Sequence, residues 1–215
     1  MPAVQSHGRV QPGQMQFTRW KRKSHRGFSL IELMVTLCIM LLLGGFALHG
    51  LIDQKHRHDM DGLQENFIDL LYSARSAAVI QSSEVIVCPL RTERSTLLAR
   101  PSCGKRNQWQ LGVLAFTDFN RNRRLDDNEH IVAQLPSFHT ATIRWRSFRN
   151  RSYLRFTPEG LTDWQNGNFL FCDNQGAPEL TRQITLNHAG RLYTAEDRDR
   201  DGVYEGSDNK PLKCR

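Results

Sequence analysis

An apolar run near the start of the chain constrains its fold and location more than any other feature. The 21 residues from Phe28 to Leu48 contain one formally charged side chain, Glu32. As a helix rising about 1.5 Å per residue, this run would be roughly 31 Å long, which matches the hydrocarbon core of a bilayer. A carboxylate in that core costs about 2.5 kcal/mol or more and is kept mainly where it has a function. The sequence therefore predicts a membrane-spanning helix over residues 28–49 and a functional Glu32.

The residues before this run are basic. The formal charge of the whole chain is +7, from 29 basic and 22 acidic residues. Residues 1–27 hold six of the basic residues and no acid, so the other 188 residues carry 23 basic and 22 acidic side chains, a net charge of +1. Positive flanks of a membrane helix stay in the cytoplasm. We therefore expect a cytoplasmic leader and an exported C-terminal domain, and the basic balance is no signature of nucleic-acid binding by the mature protein.

The junction Gly27-Phe28, followed by Glu32 in an uncharged run, resembles the signal of type IV prepilins and type II secretion pseudopilins. The resemblance implies cleavage by a prepilin peptidase between Gly27 and Phe28. Phe28 would then become N-methylphenylalanine at the N-terminus of an inner-membrane subunit. Glu32, at mature position five, would pair with the N-terminal amine of a neighbouring subunit. The alternative is a plain signal anchor in which Ser29 and Glu32 form a helix capping box.

An amphipathic pattern continues the helix beyond the apolar run. Apolar residues recur at steps of three and four from Met60 to Ala77, which places them on one helix face. We expect one helix from about Phe28 to Gln81, with its second half laid on a globular domain. Gly44-Gly45 and Gly50 lower the helix propensity where the two halves meet. The stripe consists of Met60, Leu63, Phe67, Leu70, Ala74 and Ala77.

Short β-type runs follow from Glu84 onward, separated by glycine, asparagine and proline. The fold class is therefore α+β, with a long N-terminal helix packed on an antiparallel β-sheet domain. The predicted segments are a leader (1–27), a membrane half of the helix (28–49), an amphipathic half (50–82) and a periplasmic β-rich domain (83–215). The predicted strands contain Val85–Val87, Leu111–Phe116, Ile131–Val132, Ile143–Trp145, Tyr153–Phe156, Asn168–Phe171 and Ile184–Leu186.

Several motifs in the β region look like the FimT/GspH branch of the pilin superfamily. They are Val87-Cys88, the run from Trp109 to Asn120, Phe171–Gly176, and Gly190-Arg191 followed by a cysteine near the C-terminus. The likeness extends over nearly all of residues 26–215. Members of this branch are minor pilins or pseudopilins, which start or cap a filament.

Four cysteines fall in the exported part, where disulfides form and persist. Cys88, Cys103, Cys172 and Cys214 allow three pairings. Locality favours Cys88–Cys103 and Cys172–Cys214, and the family resemblance favours the same pairs. A zinc site is the weaker alternative, because no two of these cysteines have the short spacing of zinc ligands. Cys38 lies in the predicted membrane segment and is interpreted as a packing residue.

An acidic segment near the C-terminus follows the pattern of a calcium-binding loop. Asp197, Asp199 and Asp201 occupy positions 1, 3 and 5, and Gly202 occupies position 6. Asp208 stands at position 12 and Glu205 at position 9. The sequence predicts calcium binding by Asp197, Asp199, Asp201 and Asp208. The alternative is a solvated turn in which Arg198 and Arg200 pair with the carboxylates. A second acidic segment, Asp118–Glu129, has Arg123 where the glycine belongs and is predicted to be a turn.

A run of five arginines, from Arg144 to Arg155, contains three aromatic residues and no acid. Arginines can neutralise phosphates and exposed aromatics can stack on bases, so the run is a candidate DNA-binding surface. FimT-type proteins implicated in DNA uptake carry a Gly-Arg-x-Arg motif, of which this chain keeps Gly190-Arg191 and lacks the second arginine. A solvated strand face is the alternative. The candidate DNA contacts are Arg144, Arg146, Arg149, Arg151 and Arg191.

No spacing of serine, histidine, cysteine or acid suggests a catalytic site, so we expect a peptidase substrate rather than an enzyme. The leading hypothesis is a minor type IV pilin that primes pilus assembly with other major and minor pilins. The alternatives are a GspH-type pseudopilin of a type II secretion system and a DNA-binding minor pilin.

Overall fold

The structure is a computed structural model of the chain. It describes residues 27–91, 100–149 and 151–214, and the side chains of all of these except residues 46–53. The chain divides into two compact units, Met1–Phe46 and Ala47–Arg215.

Helix α1 extends over Leu30–Ile80, close to the predicted helix. Its second half carries the predicted apolar stripe. Met60, Leu63, Phe67, Leu70 and Ala74 are buried, whereas Ala77 is half-buried. Leu71 and Ala78 are buried as well, so the stripe is wider than the sequence pattern indicates. This width is typical of a helix that packs on a broad surface rather than on a single partner helix.

In the described part of the chain, eight strands form two antiparallel four-stranded sheets. Sheet I has the order β3-β2-β1-β5, and sheet II has the order β4-β6-β7-β8. The strand bounds are β1 Glu84–Pro89, β2 Val113–Asp118, β3 Ile131–Leu135, β4 Ala141–Ser147, β5 Leu154–Phe156, β6 Gly167–Asp173, β7 Arg182–Leu186 and β8 Leu192–Thr194. Short 3₁₀ turns lie at Trp109–Leu111 and Pro178–Leu180.

Phe67 of α1 is at the centre of the main core. Its ring centroid lies 4.7 Å from that of Phe169, 5.3 Å from that of Phe171 and 6.2 Å from that of Trp109. Aromatic rings that meet at these tilted angles add to the stability gained by burying their surface. The helix stripe and the inner faces of both sheets join this one cluster, so the second unit has a single main core.

Each sheet is also covered on its outer face. On sheet I, Ile86, Leu114 and Phe116 are buried beneath the loops, with Tyr153 packed against them. On sheet II, the C-terminal segment places Leu212 over Leu170. Because both faces of β1 and β2 are buried, these strands consist of continuous apolar runs rather than alternating ones.

All seven predicted strand segments are found in the described residues, where they divide between two antiparallel sheets. An eighth strand, β8, was missed because it has only three residues and follows the Gly190-Arg191 turn directly. Within the described ranges it is an edge strand, paired with β7 alone.

Candidate functional site

The described N-terminal segment begins at Gly27, one residue before the predicted mature N-terminus. Gly27–Ser29 precede the helix, and Ser29 caps it. The backbone N–H of Glu32 donates to Ser29 Oγ at 3.2 Å, and the N–H of Leu33 donates to the Ser29 carbonyl at 3.2 Å. These contacts are the serine half of a capping box. The basic leader, residues 1–26, lies outside the described residues.

The Glu32 side chain is exposed and, within the described part of the chain, forms no hydrogen bond or ion pair. It stands in the first turn of α1, where the helix dipole favours a negative charge. The apolar residues around it are exposed as well, with Phe28 at 79% and Leu41 at 76%. Cys38 is a free, exposed cysteine. The first unit thus presents a carboxylate and an apolar surface, both of them without partners among the described residues.

No described helix segment is both long enough and apolar enough to cross a membrane. The predicted span over 28–49 includes residues 46–49, whose side chains lie outside the description.

The C-terminal acidic loop brings four carboxylates together. One ligand oxygen each from Asp197, Asp199, Asp201 and Glu205 lies within 4.8 Å of the others. The loop reaches this shape through residues with positive φ, at Arg200 (+64°) and Gly202 (+91°). Of the predicted calcium ligands, the structure therefore assembles three.

Backbone donors hold each carboxylate by one oxygen. The N–H groups of Gly202, Asp201 and Val203 donate to Asp197 Oδ2, Asp199 Oδ1 and Asp201 Oδ1, at 3.0, 3.2 and 2.7 Å. The N–H of Arg198 donates to Glu205 Oε2 at 2.8 Å. The other oxygen of Asp197, Oδ1, is buried and has no hydrogen-bond partner among the residues that the structure describes. Hard cations such as calcium prefer donor sets of this kind.

Asp208, the predicted ligand at position 12, lies outside this group of four carboxylates. Its Oδ1 accepts the N–H of Lys210 at 3.3 Å within the Gly206–Lys210 turn. Glu205 takes its place because isolated β-bridges to Glu196 and Pro211 fix its backbone next to the loop. With 6% of its surface exposed, Glu205 is the most buried of the four acids.

The second acidic segment forms a closed turn, as the sequence indicates. Asp118 accepts the N–H groups of Asn122 and Arg123 at 3.0 and 2.9 Å. Glu129 accepts those of Phe119 and Asp126, both at 2.9 Å. Both oxygens of each buried acid are therefore occupied by the backbone of the loop.

The candidate DNA-binding arginines do not form one surface. Arg144 and Arg146 lie exposed on β4, alternating with buried Ile143 and Trp145. Arg149 belongs to the following loop. Arg191 lies next to β8, at the opposite edge of sheet II. The β-ladders nevertheless place Arg146 and Arg191 at the same end of this sheet, because Ser147, Gly167, Leu186 and Leu192 are successive cross-strand partners.

The sequence did not reveal the other basic residues that line grooves next to the candidate arginines of β4. Lys210 and Lys213 line a groove with Arg146, and Arg106 lines a second groove along β4. Arg151 lines neither of these two grooves and contacts Tyr153, together with Arg123. These residues are far apart in the chain, so no local motif could have grouped them.

Both disulfides follow the pairing favoured by locality. Cys88–Cys103 closes a separation of 15 residues beside the outer face of sheet I. Cys172–Cys214 closes a separation of 42 residues and fastens the C-terminal segment to β6.

Comparison with solved structures finds pilin-like proteins of low sequence identity. Two crystal forms of the type IV minor pilin FimU from Pseudomonas aeruginosa are 20% and 18% identical, with TM-scores of 0.45 and 0.43. They cover 73% and 75% of this chain, which in turn covers 98% and 99% of theirs. The minor pseudopilin EpsH from the type 2 secretion system of Vibrio cholerae is 9% identical, with a TM-score of 0.41, over 60% of this chain and 90% of EpsH. No curated protein matches significantly.

Two family models match the chain. The prokaryotic N-terminal methylation motif matches residues 22–48, which include Gly27, Phe28 and Glu32. This motif indicates anchoring in the inner membrane, and with the family it implies contact with a prepilin peptidase and other pilins. The model described as type II transport protein GspH matches residues 64–190, more than half of the chain. The chain therefore belongs to the GspH family of type II transport proteins.

Proposed function

We propose that this protein is a minor type IV pilin that joins or primes the assembling pilus. The observation that carries the proposal is the order of the two family matches in one chain. A methylation motif at 22–48 precedes a GspH domain at 64–190. Such a chain is made as a membrane-anchored precursor, is processed, and acts as a filament subunit rather than as an enzyme.

In this proposal the peptidase cleaves between Gly27 and Phe28 and methylates Phe28. The mature protein waits in the inner membrane as a single-pass subunit with its C-terminal domain in the periplasm. Glu32 then pairs with the Phe28 amine of a neighbouring pilin. Its exposure and its lack of a partner among the described residues support this role, because a carboxylate in lipid is costly unless it is paired.

The test is the amount of surface pili sheared from cells that lack this chain. We expect pili to be lost and to return on complementation with the wild-type chain. Normal piliation in the deletion strain would contradict a priming role.

A pseudopilin of a type II secretion system is the second candidate, favoured by the description of the matching family. The same deletion strain separates the two. Loss of secreted enzymes from the culture medium with normal pili would support the pseudopilin, whereas normal secretion with lost pili would support the pilin.

DNA binding by a minor pilin remains a further hypothesis, supported by the exposed arginines of β4 and by Arg191 at the same end of sheet II. A salt titration of duplex-DNA affinity tests it, because neutralised phosphates make affinity fall steeply with salt. We expect the triple substitution of Arg146, Arg149 and Arg191 by glutamine to abolish binding. Binding that is insensitive to salt or to these substitutions would contradict the hypothesis.

We also propose that the C-terminal loop binds calcium through Asp197, Asp199, Asp201 and Glu205. The buried, unpartnered Oδ1 of Asp197 supports this, since burying a carboxylate oxygen without a partner is unfavourable. Calcium at 100 times its Kd should stabilise the protein by about 2.7 kcal/mol. Thermal unfolding with calcium or with a chelator tests it, with Asp197→Asn expected to remove the response. Asp208→Asn is the matched control and should keep it, and equal loss in both variants would contradict this ligand set.

A further inference from the structure

Two arginines from separate loops converge on one tyrosine. Arg123, in the loop between β2 and β3, donates from Nη1 to Tyr153 Oη at 3.3 Å. Arg151, in the loop between β4 and β5, donates from its own Nη1 to the same oxygen. Their guanidinium carbons lie 5.5 and 5.6 Å from the centroid of the Tyr153 ring. Two positive charges are thus brought together on a neutral phenol.

Among the described residues (27–91, 100–149 and 151–214), no carboxylate pairs with the guanidinium of Arg123 or of Arg151. Other arginines in this part of the chain have acidic partners. Arg155 pairs with Glu84 at 3.1 Å, and Arg182 pairs with Asp61 at 2.7 Å. The cation–π contacts with Tyr153 offset part of the repulsion between Arg123 and Arg151, but they bring no negative charge to the pair.

Contacts with the rest of the domain hold Arg123 and Tyr153 in place. The backbone N–H of Arg123 donates to Asp118 Oδ2, and Arg123 has a φ of +62°, which a side chain other than glycine adopts only when its surroundings enforce it. Tyr153 packs against the buried cluster on the outer face of sheet I. The backbone of Arg123 and the ring of Tyr153 are therefore held by neighbouring groups, and such support helps a binding site to keep its geometry.

We propose that Arg123, Arg151 and Tyr153 form a binding site for a tetrahedral oxoanion of the phosphate or sulfate class. The phenol oxygen uses its two lone pairs for the two guanidiniums, so its own O–H remains free to donate. Each guanidinium keeps further N–H groups, and the planar fork of arginine matches oxoanions in two-point contacts. This site goes beyond the proposed pilin function and does not depend on it.

Binding of an oxoanion can be detected through the pKa of the Tyr153 phenol. Burial raises the pKa of Tyr153, but hydrogen bonds and charges from Arg123 and Arg151 outweigh that effect and lower the pKa overall. A bound anion offsets the two cations, so it should raise the pKa of Tyr153. The probe is inorganic phosphate added to the full chain in neutral detergent, with chloride at matched ionic strength as the reference. Carbon-13 labelling of the four tyrosines, with Tyr153→Phe for assignment, follows the titration by NMR.

We expect a saturable rise of the Tyr153 pKa with phosphate, weakened about tenfold or more in Arg123→Gln and Arg151→Gln. Arg144→Gln is the matched control and should respond like the wild type. Unchanged resonances of the other tyrosines will show that the variants are folded. A response only to micelles that contain phosphatidylglycerol would identify a lipid headgroup as the source of the oxoanion. No response to either probe, or a response that persists in both arginine variants, would overturn the proposal.

Discussion

Asp118 keeps a carboxylate in the interior, with 1% of its surface exposed. Burial raises its pKa, the N–H groups of Arg123 and Asn122 lower it, and the charges of Glu129 and Glu84 raise it, so that the pKa lies above its ordinary value. A carboxyl group whose pKa is raised by folding is more easily protonated in the folded state. Its contribution to stability is therefore complete below its unfolded pKa and is lost as the pH rises through the folded pKa.

This shift predicts a pH-dependent difference between the wild type and Asp118→Asn, whose side chain does not ionise. The free energy of unfolding of the wild type, relative to the variant, should fall as the pH rises from about 4 towards neutrality. Chemical denaturation at a series of pH values measures it. A difference that is constant or rises with pH would show that the pKa of Asp118 is not raised.

In the sequence, Gly190 is noticed only as part of the Gly190-Arg191 motif. In the structure, it lies where two loops approach each other closely. Its φ is +73°, and a Cβ there would lie 2.4 Å from the Gly160 carbonyl oxygen. Gly176 has a similar φ of +78° with nothing within 4 Å. The closeness of Gly160 and Gly190, thirty positions apart in the chain, could not be predicted from local spacing.

These two glycines make a matched pair for substitution. Gly176→Ala should cost about 1 kcal/mol from backbone strain alone. Gly190→Ala should cost about 2–4 kcal/mol, because the new methyl group also forces the two loops apart. The difference between their melting temperatures tests this, and equal destabilisation would mean that the close approach of the loops has no energetic weight.

At the scale of elements, polar contacts fasten α1 to the sheets around the apolar core. Arg182 of β7, with 3% of its side chain exposed, donates to Asp61 of α1 and to the carbonyls of Glu179 and Thr181. Its guanidinium also lies 4.1 Å from the ring centroid of Tyr204. Arg182 therefore links the helix, β7 and the C-terminal segment.

Arg182→Met should lower the free energy of unfolding by about 2–4 kcal/mol, because it leaves buried carbonyls without donors. Arg144→Met, on an exposed position of the same sheet, should change it by less than about 0.5 kcal/mol. Equilibrium denaturation of both variants gives the comparison. A small effect of Arg182→Met would show that its hydrogen bonds are replaced by water.

The two disulfides close loops of different length and should differ in effect. By loop-closure entropy, Cys88–Cys103 contributes roughly 3 kcal/mol and Cys172–Cys214 roughly 4 kcal/mol, for separations of 15 and 42 residues. Double alanine variants of each pair, compared by thermal unfolding, should show the larger loss for Cys172–Cys214. The reverse order would contradict this entropic ranking.

Elements that depend on local periodicity can be predicted from the sequence. The pairing of strands that are distant in the chain cannot. The helix stripe around Phe67 follows from a spacing of three to four residues, and the seven strand segments follow from short apolar or alternating runs. The division into two sheets depends on which strands meet, and strand pairing leaves little local trace. Glu205 joins the acidic loop through bridges to Glu196 and Pro211, which the loop pattern alone could not rank above Asp208.

At the scale of the whole molecule, the different surfaces of the two units suggest that the units have separate roles. The first presents Glu32 and an exposed apolar surface, and the second holds the core, both sheets and both disulfides. In the proposed pilin, the first unit contacts neighbouring subunits during assembly, and the second unit provides the surface that partners contact. Substituting Glu32 should therefore affect assembly and leave the second unit folded.

The most direct measurement compares Glu32→Ala with Glu65→Ala, an exposed acid on the same helix, in cells that lack the native chain. Mass spectrometry of the membrane fraction should find N-methylated Phe28 at the mature N-terminus of both variants. Sheared filaments should contain Glu65→Ala at the wild-type level and Glu32→Ala at a level reduced by about tenfold or more, because the pairing with the Phe28 amine is lost in lipid. Normal incorporation of Glu32→Ala, or an uncleaved leader in both variants, would contradict the account.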